Sequence, residues 1–294
     1  MCSRARQRTA AAGGGRGPND ACCCRADQPS AQRDILTRPL AAEAGVRRQQ
    51  AYEVTHIIAS DSPLRLLPPG VDPIQTLFID GIRHAAEVAD LAYIRLASEL
   101  TQLALSRRAG DTVAGDFTAV YMHAWSVVDA VDRLRGLFHL LPGAQPKQRT
   151  DGKPSFRDQT EGIRSLRNVS DHLAQRVEYV VASGGTALGT LTWLTVIKPE
   201  PLTVLSCAIV PGTLTNRHTW LLNPADRQSI RGPSDRISLT AGEYSVDLTD
   251  IMVEVRRLIA SFEAAVGRWI KENGHEGKQA GGDLLLLAEM AFVD

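Results

Sequence analysis

The longest periodic segment of the chain is residues 74–110, which reads IQTLFIDGIRHAAEVADLAYIRLASELTQLALSRRAG. Its apolar residues, among them Ile82, Leu96 and Leu103, recur at steps of three and four residues. That spacing keeps side chains on one face of an α-helix. The pattern therefore predicts a first long helix that begins near Ile74 and ends at Gly110.

Three more segments have helical periodicity. Asp116 can cap a second helix, which Pro142-Gly143 ends. A third helix is predicted from Phe156 to Val181, with Gly184-Gly185 at its C-terminal end. A fourth begins at Asp247 or Thr249 and ends at Asn273-Gly274.

The residues between the third and fourth helices have the composition of β-strands. Thr190 to Ile197 and Leu202 to Val210 are apolar and rich in β-branched residues, and they predict a hairpin. Further strands are predicted at Arg217 to Leu222, Arg236 to Thr240 and Tyr244 to Leu248. The expected fold is mainly α: an up-and-down four-helix bundle with an antiparallel sheet inserted between helices three and four.

The chain divides by composition into four regions. Residues 1–50 are rich in Arg, Ala and Gly and predict a disordered leader. Residues 51–73 form an arm and a linker, whose prolines exclude a helix. The helical domain spans 74–274, with its β insertion at about 188–247. Residues 275–294 form a C-terminal tail.

Charge and cysteine content limit the function classes. Lys plus Arg and Asp plus Glu are both 33, so no net charge draws the whole molecule to a polyanion. The five cysteines, three of them adjacent at Cys22 to Cys24, form neither a disulfide framework nor a zinc site. With no long apolar span or signal peptide, we expect a cytoplasmic protein without membrane contact.

The predicted third helix carries the strongest candidate for chemistry. At about 100° per residue, Arg164, Asn168 and His172 fall on one stripe, which Arg176 extends by a turn. Arg167 falls on a neighbouring stripe, so a guanidinium, an amide and an imidazole are expected to cluster at the edge of the apolar face. An Arg that holds a phosphate beside a His that transfers a proton is a minimal arrangement for RNA cleavage.

The segment Arg167-Asn168-Val-Ser-Asp-His172, on the third helix of a helical body, resembles the signature of the HEPN family (higher eukaryote and prokaryote nucleotide-binding domains). The resemblance covers about residues 74–181 and 248–270. It implies a metal-independent endoribonuclease with a toxin or defence role and no cofactor, in which the RNA 2′-hydroxyl attacks. The motifs of two protomers would meet in a homodimer.

Carried over to this sequence, the resemblance implies that Arg167 binds the scissile phosphate, His172 is the acid and base, and Asn168 orients them. Arg164 and Arg176 would bind the RNA. An antitoxin or another partner protein stays open. The sequence has Ala174 where toxins silenced by a nucleotidyltransferase carry Tyr, so that regulation is not implied.

Basic residues around the motif outnumber acidic ones, which favours an RNA path: Lys147, Arg149, Lys153, Arg157, Arg164, Arg167 and Arg176 against Asp151, Asp158, Glu161 and Asp171. A second function class is a non-catalytic dimerisation or sensor module that binds a protein or nucleotide partner. In it, Arg167 and Asp171 are an ordinary ion pair four residues apart.

Other polar residues are interpreted as structural and not as functional. Asp80, His84 and Glu87 share a helical face that could ligate a metal, but no second cluster completes the set, so we predict a solvated face. Residues 183–186 are interpreted as a helix end, not a phosphate cradle. His123 and Trp125 are interpreted as packing residues.

Overall fold

A computed structural model describes residues 56–108, 116–142, 154–212, 230–278 and 282–289, all of which belong to the unit Glu53–Asp294. The fold is mixed and helix-rich. Its helices are α1 (Pro73–Arg108), α2 (Thr118–Leu140), α3 (Phe156–Gln159), α4 (Glu161–Asp171), α5 (Leu173–Ala182) and α6 (Leu248–Glu272), and its strands are β1 (Thr190–Lys198), β2 (Thr203–Ile209), β3 (Ser234–Ala241) and β4 (Tyr244–Asp247).

The predicted first, second and fourth helices are confirmed as α1, α2 and α6. Asp116 precedes α2, and its carboxylate accepts from the backbone N–H of Thr118 at 2.9 Å. Asp247 caps α6 by accepting from the backbone N–H of Asp250 at 3.1 Å. Gly274, in the left-handed region at φ 63°, follows the end of α6 as the sequence predicts.

The predicted third helix is wrong as a single element. Residues 156–182 form three helices, α3, α4 and α5, which are separated at Thr160 and His172. Both residues have φ near −109° and ψ between 14° and 21°, outside the helical range. The Thr160 hydroxyl donates to the carbonyl of Phe156 at 2.6 Å, a side-chain bond that competes with helical continuation.

The inserted sheet is confirmed between α5 and α6. Its order is β2-β1-β3-β4, and each neighbouring pair is antiparallel. β1 and β2 form the predicted hairpin, in which Trp193 pairs with Cys207. The strand predicted at 217–222 lies outside the described residues, as do the leader at 1–50 and its cysteines.

The core lies between the sheet and the helices. α1 packs on α2 and also reaches α6, β1 and β3. α4 packs on α2 and β4, and α6 packs on β3. The linker region, non-helical from 56 to 72 as predicted, adds Ile58 and Leu64 to the core. The helices before and after the sheet, α4 and α6, therefore pack chiefly on elements other than each other. The up-and-down bundle remains a prediction.

A chain of buried and partly buried hydrogen bonds joins the sheet to α1. The indole N–H of Trp193 donates to the hydroxyl of Thr195 at 3.0 Å, and the hydroxyl of Thr101 donates to the carbonyl of Ala97 at 2.7 Å. Ser234 lies between them, 2.9 Å from Thr195 and 2.7 Å from Thr101. Because each hydroxyl has a single proton, Thr195 donates to Ser234 and Ser234 to Thr101.

None of the described helices has the length and hydropathy of a membrane span.

Candidate functional site

The motif helix α4 is fixed by its apolar face. Ser155 and Asp158 form a capping box that starts the preceding turn, α3. Ile163, Leu166 and Val169 are buried and lie on the face that meets α2 and the sheet. A side chain at Gly162 would meet Val246 of β4, since a Cβ there would lie 2.7 Å from its Cγ2. The close packing of α4 on β4 therefore depends on this glycine.

The helix axis breaks at His172, the predicted acid and base. His172 closes α4, with its N–H donating to the carbonyl of Asn168 at 3.3 Å, and opens α5, with its carbonyl accepting from Arg176 N–H at 3.0 Å. Its side chain is exposed. The predicted helix register is therefore interrupted at the residue on which the predicted chemistry depends.

After the break, α5 packs against the turn between β3 and β4. The hydroxyl of Tyr179 accepts from the backbone N–H of Glu243 at 3.3 Å, and its ring covers Gly242, where a Cβ would lie 2.9 Å away. Val180 is buried, while Val177 and Val181 are exposed. Tyr179 of α5 thus packs on the β3–β4 turn, a tertiary contact of the kind that competes with helical periodicity.

Arg167 is held by carboxylates. Its Nη1 donates to Oδ2 of Asp132 at 2.7 Å, and its Nε lies 3.5 Å from Oδ1 of Asp129 and 3.4 Å from Oδ2 of Asp171. The hydrogen bond to Asp132 is the main cause of the raised pKa of Arg167, and the other two carboxylates add to it. Arg167 therefore ties α4 to α2 at the edge of the apolar face.

A second guanidinium extends this cluster. The buried side chain of Arg135 on α2 pairs with Glu161 of α4, lies 3.6 Å from Asp132, and donates to the carbonyl of Arg157 at 3.3 Å. Burial raises the pKa of Asp129, against the opposing effect of Arg167. Four carboxylates and two guanidinium groups thus share this surface: Asp129, Asp132, Asp171, Glu161, Arg135 and Arg167.

The remaining predicted site residues face solvent. The side chains of Arg164, Asn168, His172 and Arg176 are all exposed. Within the described part of the chain, none of the four makes a side-chain hydrogen bond or ion pair. The expectation that Asn168 and His172 sit at the edge of the apolar face is therefore wrong. Among these described residues Arg167 alone is half-buried, and neither a hydrogen bond nor an ion pair joins its side chain to His172.

The cluster around Arg167 leads to a stability prediction. We expect Arg167→Gln to lower the free energy of unfolding by about 1 kcal/mol, the upper end for a solvent-accessible ion pair, because it removes the charge shared by three carboxylates. Arg164→Gln is the matched control, and its effect should stay within about 0.5 kcal/mol. Urea unfolding measures both. Equal losses in the two variants would contradict the structural role of Arg167.

The face of α1 that was considered as a possible metal site, with Asp80, His84 and Glu87, has a different structure. No group of metal-ligating side chains occurs among the described residues. Instead, buried Arg83 binds Asp283 of the C-terminal segment through two hydrogen bonds of 2.9 and 2.6 Å, with Asp80 and Glu87 nearby. The predicted solvated face is thus an ion-pair cluster, and it holds Asp283 beside α1.

The other structural interpretations agree with the contacts. His123 is buried, with Nε2 3.3 Å from Glu99, and the indole of Trp125 donates to the carbonyl of Leu188 at 3.1 Å. After α5, Gly185 N–H donates to the carbonyl of Val180 at 2.8 Å, which makes this segment a helix end. The basic loop residues Lys147, Arg149 and Lys153, like Asp151, lie outside the described residues.

Asp129, Asp132 and Arg135 are the residues that sequence reasoning missed. The sequence pattern that could have indicated them is two Asp residues three positions apart on α2, followed by an Arg three positions later. That spacing places them on one helical face, but it does not say which helix they meet.

Comparisons with protein-family models, with curated proteins and with solved structures found no match.

Proposed function

We propose that this chain is a non-catalytic, HEPN-like interaction module whose helical body binds a protein partner. The observation that carries the proposal is the environment of Arg167. Three carboxylates within 3.5 Å occupy the guanidinium that a ribonuclease would aim at the scissile phosphate. A phosphodiester arriving there would meet acidic side chains, and Arg167 would have to give up its bond to Asp132.

The charge balance at the motif supports the same conclusion. The acidic residues Asp129 and Asp132 come from α2, so counting charges along the motif segment alone leaves them out. With them, the ion-pair cluster around Arg167 has two more carboxylates than guanidinium groups. A phosphate backbone binds where Lys and Arg exceed acids, and this cluster has the opposite balance.

The exposed surface of α1 also supports the proposal of an interaction module. One face of this helix, here named the α1 stripe, is exposed and includes Leu77, Val88 and Leu91. In a monomer these apolar side chains would lie in water. Leu77 is 73% exposed, Val88 50% and Leu91 46%. A row of large apolar groups along one exposed helix face is typical of an interaction surface.

The deciding experiment is an RNA-cleavage assay on the full chain. We expect no more cleavage of labelled single-stranded RNA by wild type than by His172→Ala, in buffer with chelator, because neither the phosphate ligand nor the proton donor is placed for the reaction. Circular dichroism on both proteins controls for folding. Cleavage by wild type that His172→Ala abolishes would refute the non-catalytic proposal.

One observation favours a second candidate, a metal-independent endoribonuclease of HEPN type with a toxin or defence role. Arg164, Asn168, His172 and Arg176 are all exposed, so an accessible imidazole lies in the sequence between two accessible guanidinium groups. In this version Arg164 and Arg176 bind the RNA backbone, Arg167 only positions α4, and His172 transfers the proton as the 2′-hydroxyl attacks.

The same assay separates the two candidates. Under the ribonuclease hypothesis, His172→Ala lowers the rate about a hundred- to ten-thousand-fold. The products end in a cyclic phosphate, and RNA with a 2′-deoxy group at the cut site resists. Arg167→Gln, by contrast, then lowers stability more than the cleavage rate of the folded fraction.

A further inference from the structure

Arg83 of α1 is a buried guanidinium whose strongest partner lies 200 positions later in the chain. Its side chain is only 5% exposed, and its two terminal nitrogens donate to the carboxylate of Asp283 at 2.9 and 2.6 Å. Nη2 also lies 2.9 Å from Nε2 of His84. Two parallel bonds of this kind are the geometry with which Arg recognises a carboxylate. Arg83 therefore has the environment of a carboxylate-binding residue.

The described C-terminal segment is attached at one point. Of residues 282–289, Asp283 alone makes a hydrogen bond or an ion pair with another residue that the structure describes. Leu284 to Leu287 are 79–87% exposed, and Glu289 is exposed as well. A contact at a single carboxylate can open without any change in the helices. The segment can therefore leave α1 while the rest of the protein stays folded.

The segment borders a cavity beside Arg83. The cavity has a volume of about 340 Å³, and its lining includes Arg65, Thr76, Asp80, Arg83 and Asp283. Nε of Arg83 is buried and makes no hydrogen bond with the described residues, and the carboxylate of Asp80 lies 3.9 Å from it. A guanidinium has five N–H donors, so Arg83 has a donor left for a further ligand atom. The cavity also has room for more than one carboxyl group.

We propose that Arg83 forms a carboxylate-binding site, which Asp283 occupies in cis as a latch on the C-terminal segment. The ligand class is a carboxylate on a peptide, because that is what the site holds in this structure. An acidic peptide from another molecule competes with Asp283 and releases residues 284–289. The latch does not depend on whether the chain cleaves RNA.

The burial of Arg83 explains why the site is occupied. A buried charge without a partner is costly, so the guanidinium favours whichever carboxylate can reach it. The hydrogen bond to Asp283 raises the pKa of Arg83, against the effect of burial, and the same bond lowers the pKa of Asp283. Glu87, 3.7 Å from Nη1, and Asp80 balance part of the charge of Arg83. Arg83 thus keeps some compensation when the latch opens.

The length of the linker determines how easily a ligand displaces Asp283. Ten residues, 273–282, separate it from the end of α6 at Glu272. A short tether gives its ligand an effective concentration of the order of millimolar. A free acidic ligand must therefore reach about millimolar concentration, or make further contacts, before it opens the latch.

The latch determines where the run of leucines begins. Oδ1 of Asp283 lies 3.9 Å from Nε2 of His84, and Val88 of the α1 stripe follows His84 by four residues, about one turn. Leu284 to Leu287 come directly after Asp283. The closed latch therefore starts these exposed leucines close to the α1 stripe, and the open latch frees them from that position.

Spin-label mobility in the full chain measures the latch. With the native cysteines replaced by serine, a nitroxide at Leu285→Cys should show a slow component from the closed state. Asp283→Asn should lower the ratio of slow to fast component at least about tenfold, because the bonds to the charged carboxylate are lost. Asp283→Glu keeps the carboxylate and should retain most of the slow component. Circular dichroism verifies that each variant is folded.

Glu289→Gln is the matched control for the mobility measurement. It removes the same charge from an exposed residue of the same segment, and Glu289 has no ion pair with any residue that the structure describes. The ratio of slow to fast component should not change. A slow component that survives Asp283→Asn, or one that Glu289→Gln lowers equally, would overturn the latch.

A fluorescent peptide with the sequence of residues 281–284 tests the site in trans. Measured by anisotropy, it should bind the Asp283→Asn protein at least about tenfold more tightly than wild type, because the cis occupant is gone. Adding Arg83→Lys keeps the charge but removes the paired bonds, so it should weaken this binding about tenfold. The same peptide with asparagine in place of aspartate should not bind. Equal affinities for wild type and Asp283→Asn would show that Arg83 is not a site for a second carboxylate.

Discussion

Gly189→Ala is expected to lower the free energy of unfolding by about 3 kcal/mol, which combines a left-handed backbone penalty with overpacking. Gly189 has φ 79°, and a Cβ there would lie 2.5 Å from the carbonyl oxygen of Thr240 on the paired strand β3. The same residue's carbonyl accepts from the hydroxyls of Tyr121, at 3.1 Å, and Thr186, at 2.7 Å. A shift of this backbone would therefore also disturb the contact between α2 and the sheet.

Gly70→Ala is the matched control for this prediction. Gly70 has φ 99°, but no atom of the described residues lies within 4 Å of the position of its Cβ. We expect only the backbone penalty, about 1–2 kcal/mol. Denaturant unfolding monitored by tryptophan fluorescence measures both variants. Equal losses would mean that the approach of Thr240 to Gly189 adds nothing to the cost.

Leu166→Ala is expected to cost about 2–5 kcal/mol, as fully buried leucines do when truncated. Leu166 has 0% exposure on α4, at the face that meets α2 and the sheet. Its loss leaves a cavity under the residues that position Arg167. Thermal and denaturant unfolding report the change in stability.

The exposed Leu202 provides the comparison for truncation at position 166. Leu202→Ala removes the same atoms from a side chain that is 59% exposed, so its effect should remain within about 0.5 kcal/mol. A loss below about 1 kcal/mol for Leu166→Ala would show that α4 is not anchored through its apolar face.

The elements that the sequence predicts well are those that local patterns determine. The long apolar periodicity of α1 and the Asp and Gly signals at the ends of α6 fix these helices within one or two residues. The β-branched composition of Thr190 to Ile197 and the following turn predict the hairpin for the same reason. Each of these patterns is complete within a short stretch of chain.

The break at His172 was not predicted from the local pattern. The residues that Tyr179 of α5 contacts on the β3–β4 turn, Gly242 and Glu243, lie more than 60 positions later in the chain. The periodicity from Phe156 to Val181 is compatible with one helix, but the structure divides it at Thr160 and at His172. The sequence therefore placed the motif on a helix correctly, but it could not show that the helix ends within the motif.

For a similar reason, the sequence could not predict that Arg167 forms an ion pair with Asp132. Asp171 is visible as a neighbour four residues away, and this ion pair is present. Asp132 is 35 positions from Arg167, and their contact exists only because α4 packs on α2. Whether an Arg is free to hold a phosphate is a property of the packed structure.

The hydrogen-bond chain from Trp193 to Ala97 has a kinetic consequence. It closes only when Ser234 reaches Thr101, 133 positions earlier in the chain. The α1–α2 hairpin needs contacts over far shorter separations, so it can assemble while the sheet is still open. Closing a long loop costs chain entropy before its contacts repay it, and folding slows as contacts become more distant in sequence. We therefore expect β3 to dock between β1 and α1 after the α1–α2 hairpin has formed.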